Sequence, residues 1–297
     1  MTPPEKQGIY VLRPDPARSH QRRYSGRRAA RDVVPATLFV PQDTTLSPEV
    51  HFPLQTVFAP DRPAVPRFIN RFDSREMLLV IDGSCINNGR HASKTAAPRA
   101  GCSFLYKTAV PPPLTTSCVG NTAAVPDYTT DVTFPFLHLA DINNDDGDAI
   151  AFRLERQGPD GSRTEHSSNR AKLRAVIAAL QFRQWHSEGW RRVVILTDLE
   201  YIVDGATAWL PRWVARRWIK PRRQGRYKNR DLWEELQGRV DELRLRGCAV
   251  SFWLVGGRDA VESSRFIAMA KGAAREAAHA MPEIEVERFT RLCGIML

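Results

Sequence analysis

Long apolar runs are missing from this 297-residue chain, so no membrane span is expected. Cysteine is scarce. The five residues at positions 85, 102, 118, 248 and 293 are odd in number and match no zinc-ligand spacing. That excludes a disulfide framework and a zinc module as organising principles and leaves reduced thiols in an intracellular protein. No apolar h-region opens the chain, so it does not read as a secretory signal. Its arginines, Arg13, Arg18, Arg22, Arg23, Arg27, Arg28 and Arg31, read as a solvated basic tail. A nuclear or cytoplasmic location is expected, with an organellar address left open. Acids are absent from one stretch altogether. Between Arg212 and Arg230 there are nine basic residues and no Asp or Glu.

What is present is a basic chain with enough apolar content to form a core: net charge is +10 and 42% of residues are hydrophobic. Such a balance favours polyanionic partners without fixing a fold. Residues 1–75 mix Pro, Arg and short apolar pieces with no sustained period, which predicts an irregular, extended arm. Met77 to Ile81 is a continuous apolar run ending in Asp82-Gly83, the pattern of a buried strand followed by a turn. Arg99–Lys107 and Ala149–Glu155 predict two further strands. Between them, residues 108–148 read as a long loop, of a length that marks an insertion. Ser167–Trp185 predicts an alanine-rich helix capped by Ser167 or Ser168. Val193–Leu196 and Ala249–Val255 predict strands; Asp231–Leu245 and Ala260–Ala278 predict helices. Three strands followed by β–α alternation give an α/β fold with a mixed sheet.

Five stretches, in order, resemble the type-1 ribonuclease H family. They are Asp82–Gly89, Arg99-Ala100-Gly101, Ser167–Leu173, Thr197–Gly205 and Trp209–Leu236. The resemblance implies a five-stranded mixed sheet with helices on both faces over residues 76–280, with a basic, Trp-rich protrusion at 206–230. Residues 1–75, the insertion and a C-terminal extension at 281–297 lie outside it. It also implies magnesium chemistry on RNA–DNA hybrids, in which two hard cations are held by four acids to activate water and stabilise the leaving oxygen. Asp82 and Asp198 occupy the first and third acid positions. The second, within Asn169-Arg170-Ala171-Lys172-Leu173, is Lys172. The fourth is Ile267, or Ser264 after a small register shift, and the loop before it, Gly256–Asp259, has no histidine. Lys172 removes a ligand and places an ammonium beside Asp82 and Asp198, so a weak metal site and impaired cleavage are expected. Glu155, Glu165, Glu200, Asp259 and Glu262 are the acids available to compensate.

For binding, the resemblance places the basic segment where the family grips the DNA strand. Arg212, Arg216, Arg217, Arg222, Arg223 and Lys228 are the expected phosphate contacts. Trp209, Trp213 and Trp218 interleave with them; packing against the core accounts for the first two. Asn88 and Ser167-Ser168-Asn169 match positions used for backbone and 2′-hydroxyl contacts, although Asn88 is equally a turn former and Ser167 a helix cap. Three functions follow: a nucleic-acid-binding module with a degraded site, an active hybrid ribonuclease with rearranged acids, or a scaffold. A scaffold would use the N-terminal arm or the insertion to hold a protein partner.

Overall fold

The structure is a computed structural model that describes residues 34–59, 62–88, 97–106, 137–141, 148–220, 225, 227–256, 264–280 and 287–292. In chain order its elements are β1 (Thr37–Leu38), α1 (Pro48–His51), β2 (Leu54–Ala59), β3 (Arg62–Phe68), β4 (Glu76–Ile86), β5 (Arg99–Leu105), β6 (Leu137–Asp141) and β7 (Asp148–Arg153). There follow α2 (Ser168–Phe182), a 3-10 turn (Trp185–Glu188), β8 (Arg192–Thr197), α3 (Glu200–Asp204), a π-helical turn (Gly205–Trp209), α4 (Leu210–Ala215), α5 (Arg230–Leu245), β9 (Ala249–Leu254) and α6 (Arg265–His279). No helix among the described residues is long and apolar enough to cross a membrane.

One mixed sheet runs β1-β9-β8-β4-β5-β7-β6, and β2 pairs separately with β3. The five expected strands form its continuous centre. β4 pairs in parallel with β8 and antiparallel with β5, and its residues Met77 to Ile81 are fully buried, as a strand covered on both faces requires. The extra strands come from segments outside the resemblance. β1 lies parallel to β9, with Thr37 Oγ1 and Ser251 Oγ 2.7 Å apart, and β6 pairs antiparallel with β7. The end of the 108–148 segment is therefore strand rather than loop, while residues 107–136 lie outside the described residues.

Two layers of core flank the sheet. On one face α2 packs with α5, and on the other lies α6. Two glycines permit this closeness. A Cβ on Gly83 would stand 2.3 Å from the Lys172 backbone nitrogen, and one on Gly101 would stand 2.2 Å from the Ala274 carbonyl oxygen. Ser103 Oγ donates to the Ala270 carbonyl (2.6 Å) on the α6 side.

Residues 34–75 are more ordered than their lack of period suggests. Phe39, Phe52 and Phe68 are buried in the α6-side core, with Phe68 and Phe266 rings 4.5 Å apart. Arg67 is fully buried against Glu188 (3.1 Å). Elements of two to seven residues are too short to carry a readable period; tertiary packing, not propensity, holds them. The first 33 residues, with their arginines, lie outside the described residues.

Candidate nucleic-acid interface and carboxylate site

Asp82 does not end its strand. β4 continues to Ile86 because β5 pairs with it up to Ile86↔Arg99, so the expected turn comes later. What ends near Asp82 is the pairing with β8, whose last register is Val80↔Leu196. β8 stops at Thr197, and Asp198 leaves the sheet beside the unpaired flank of β4. That divergence brings the two carboxylates to one place at the sheet's carboxyl edge, where ligands are met in α/β folds.

Lys172 enters this place from α2. Its position follows from the helix: Ser167 caps the N-terminus by accepting from the Arg170 backbone N–H (3.3 Å), and Gly83 lets the second turn lie against β4. Nζ ion-pairs with Asp82 Oδ1 at 2.6 Å and also pairs with Asp198 Oδ1. The side chains of Asp82, Lys172 and Asp198 are 1%, 11% and 32% exposed, so the ammonium lies inside the carboxylate pair. Burial works against the Lys172 charge, but Asp82 and Asp198 outweigh it and hold its pKa above the ordinary lysine value. For Asp82 burial wins: its carboxyl is raised above the usual range, with Lys172 opposing the rise.

Neither reading of the fourth acid position supplies an acid. Ile267 is buried in the α6-side core. Ser264 Oγ donates to Glu49 Oε1 (2.6 Å), which also accepts from the Phe266 N–H (3.1 Å). Nor do the described alternatives move in. Glu155 is buried against Arg174 (2.8 Å), while Glu165 and Glu200 are exposed; Asp259 and Glu262 lie outside the described residues. Among the described residues no three His, Cys, Asp or Glu side chains converge to hold a metal ion. Two carboxylates bridged by an ammonium do not fit a pair of hard divalent cations, which need oxygen ligands in near-octahedral array.

The basic segment follows β8 in the chain, after α3 and the π-helical turn. Arg212, Arg216 and Arg217 are exposed on and after α4, Lys228 is exposed before α5, and Arg222 and Arg223 lie outside the described residues. α4 ends with the Arg217 N–H on the Val214 carbonyl and the Trp218 N–H on the Trp213 carbonyl, both 2.8 Å. This closure puts Arg217 and Trp218 in the left-handed region, at φ 52° and 60°. Two such residues without glycine cost about 1–2 kcal/mol each. An aromatic cluster offsets that cost: Trp213 meets Tyr227, Trp233, Trp209 and Trp218 at ring distances of 5.0, 5.6, 5.8 and 5.8 Å. Trp218 joins the packing together with Trp209 and Trp213. Tyr227 was not among the expected site residues, although an aromatic within the basic run was the available signal, and the Arg230 guanidinium lies 5.3 Å over the Trp218 ring.

Asn88 is exposed, and the left-handed turn residue is its neighbour Asn87 (φ 56°). Ser168 and Asn169 occupy the first turn of α2 behind the Ser167 cap. Arg170 points inward instead, to Asp231 (2.6 Å), and so fastens α2 to α5.

A family model for RNase H matches residues 142–246. The ribonuclease H of Erythrobacter litoralis is 32% identical over 114 residues, which are 38% of this chain and 73% of that protein. The chain belongs to the ribonuclease H family. The ribonuclease H of Treponema pallidum is 38% identical over 85 residues, covering 29% of this chain and 48% of that protein. The chain spans about half the length of the first curated relatives it matches. Among solved structures, LC9-RNase H1, described as a type 1 RNase H with the type 2 active-site motif, is 25% identical with a TM-score of 0.39, covering 68% of this chain and 72% of that one. The solution structure of the PFV RNase H domain is 14% identical with a TM-score of 0.41, covering 68% and 93%.

Proposed function

We propose that this ribonuclease H chain binds nucleic acid, RNA–DNA hybrid or structured RNA, and cleaves it weakly or not at all. The observation that carries the reading is the Lys172 ammonium between Asp82 and Asp198, where the family chemistry needs cations and open carboxylate oxygens. Binding is supported by Arg212, Arg216, Arg217 and Lys228, which are exposed and paired with no carboxylate among the described residues. Clustered cations of this kind gain most by displacing counterions from a phosphate backbone. The α2 N-terminus adds N–H groups that suit a phosphate.

A salt-titrated binding assay on labelled hybrid and double-stranded RNA tests this. The expected affinity at low salt is about micromolar or tighter, with a steep salt dependence. Replacing Arg216, Arg217, Arg222 and Arg223 with Gln should flatten the log–log salt slope by about three to four. Unchanged affinity in that variant would show that the segment is not the grip. No binding to either duplex would leave the fold as a scaffold for a protein partner.

A further inference from the structure

We propose that the Lys172 ammonium is the resident cation of the carboxylate site, so that the domain takes up nucleic acid without any divalent metal ion. The inference rests on the nucleic-acid-binding reading and concerns the same site. Four acids without metal would present four negative charges to an approaching phosphate backbone. Here the two carboxylates and one ammonium leave a single net negative charge. Repulsion between like charges at this edge is already relieved before any metal arrives.

The ammonium is also fixed. Nζ joins β4 through Asp82 and the end of β8 through Asp198, while the Lys172 backbone lies against Gly83. Swinging it out with no cation in its place would strand Asp82, which is 1% exposed. A buried charge stripped of its partner is among the most costly defects a fold can carry. The bridge therefore holds α2 in place, and with it Ser167, Ser168 and Asn169 at the helix N-terminus. In a metal-binding arrangement the ions would supply that cohesion; here a side chain supplies it permanently.

Two measurements on the full chain decide this. One is hybrid binding by fluorescence anisotropy in magnesium and in EDTA at matched ionic strength; the other is calorimetric titration of manganese into the protein alone. The expectation is equal affinity in both buffers, within about twofold, and no stoichiometric manganese heat. Lys172→Glu turns the site into three acids. It should weaken binding in EDTA by about tenfold or more, recover it with manganese, and show manganese heat on its own. Lys172→Met, with near-UV circular dichroism as the check on folding, serves if the glutamate variant does not fold, and should bind manganese more weakly than the glutamate variant. Wild-type binding that requires magnesium would overturn the inference, as would wild-type manganese heat abolished by Asp82→Asn. Absence of hybrid binding in both buffers would refute the nucleic-acid reading instead, and the manganese titration would still decide which cation the site holds.

Discussion

Lys172 is the residue on which both stability and chemistry turn. Removing one partner of a buried ion pair leaves an uncompensated charge, which typically costs about 3–5 kcal/mol. Because Asp198 is partly exposed, the lower end applies, and Lys172→Met should lose about 3 kcal/mol in urea unfolding. The double variant Asp82→Asn, Lys172→Met should lose less than the sum of the two single losses. The lysine's pKa is raised in the fold, so its stabilisation is fully present below the unfolded value near 10.4 and is lost as pH climbs through the folded value. Unfolding measured from pH 8 upward should therefore show an alkaline loss of stability that is smaller in Lys172→Met. The identity of this residue was legible from its flanks, Arg170-Ala171 before and Leu173 after. That its ammonium turns inward was not, because the approach of α2 to β4 depends on Gly83 and on the ending of β8, neither of which is local to Lys172.

Among the elements, the segment before β4 is the least legible in the sequence. Its helix has four residues and its first strand two, so neither spans a full hydrophobic period. Their role appears only across long separations, as in Glu49 at the start of α6. Ser264, the N-cap residue there, makes no cap hydrogen bond of its own; the Glu49 carboxylate accepts from the Phe266 N–H in its place. Burial raises the Glu49 pKa, but the hydrogen bonds from Ser264 and Phe266 outweigh it and hold the carboxyl below its ordinary value. Loss of a helix cap costs about 1 kcal/mol. Glu49→Ala should accordingly destabilise the protein by about that amount and speed amide hydrogen exchange in the first turn of α6, while leaving α2 unchanged. By contrast, β4, β8, β9, α2 and α5 were legible because each is long enough to show a buried run or an amphipathic period.

For the whole molecule, the five-stranded mixed sheet was legible from the resemblance, while the covering of its α6 face was not. Phe39, Phe52 and Phe68 bring three buried rings to that face from residues 34–75. Each buried aromatic contributes about 1.5–3 kcal/mol, so together they supply a large part of the roughly 5–15 kcal/mol that keeps a domain folded. A fragment of residues 76–280 alone should therefore melt far below the full chain, or fail to give a cooperative thermal transition by circular dichroism. One chain carries both the carboxylate site and the exposed Arg212, Arg216 and Arg217, so binding and chemistry can be separated in one sample. The most direct measurement is cleavage of an RNA–DNA hybrid by the full chain in magnesium or manganese, with hybrid binding recorded in parallel. The expected result is bound hybrid that remains intact. Cleavage above background that disappears on Asp82→Asn would contradict it.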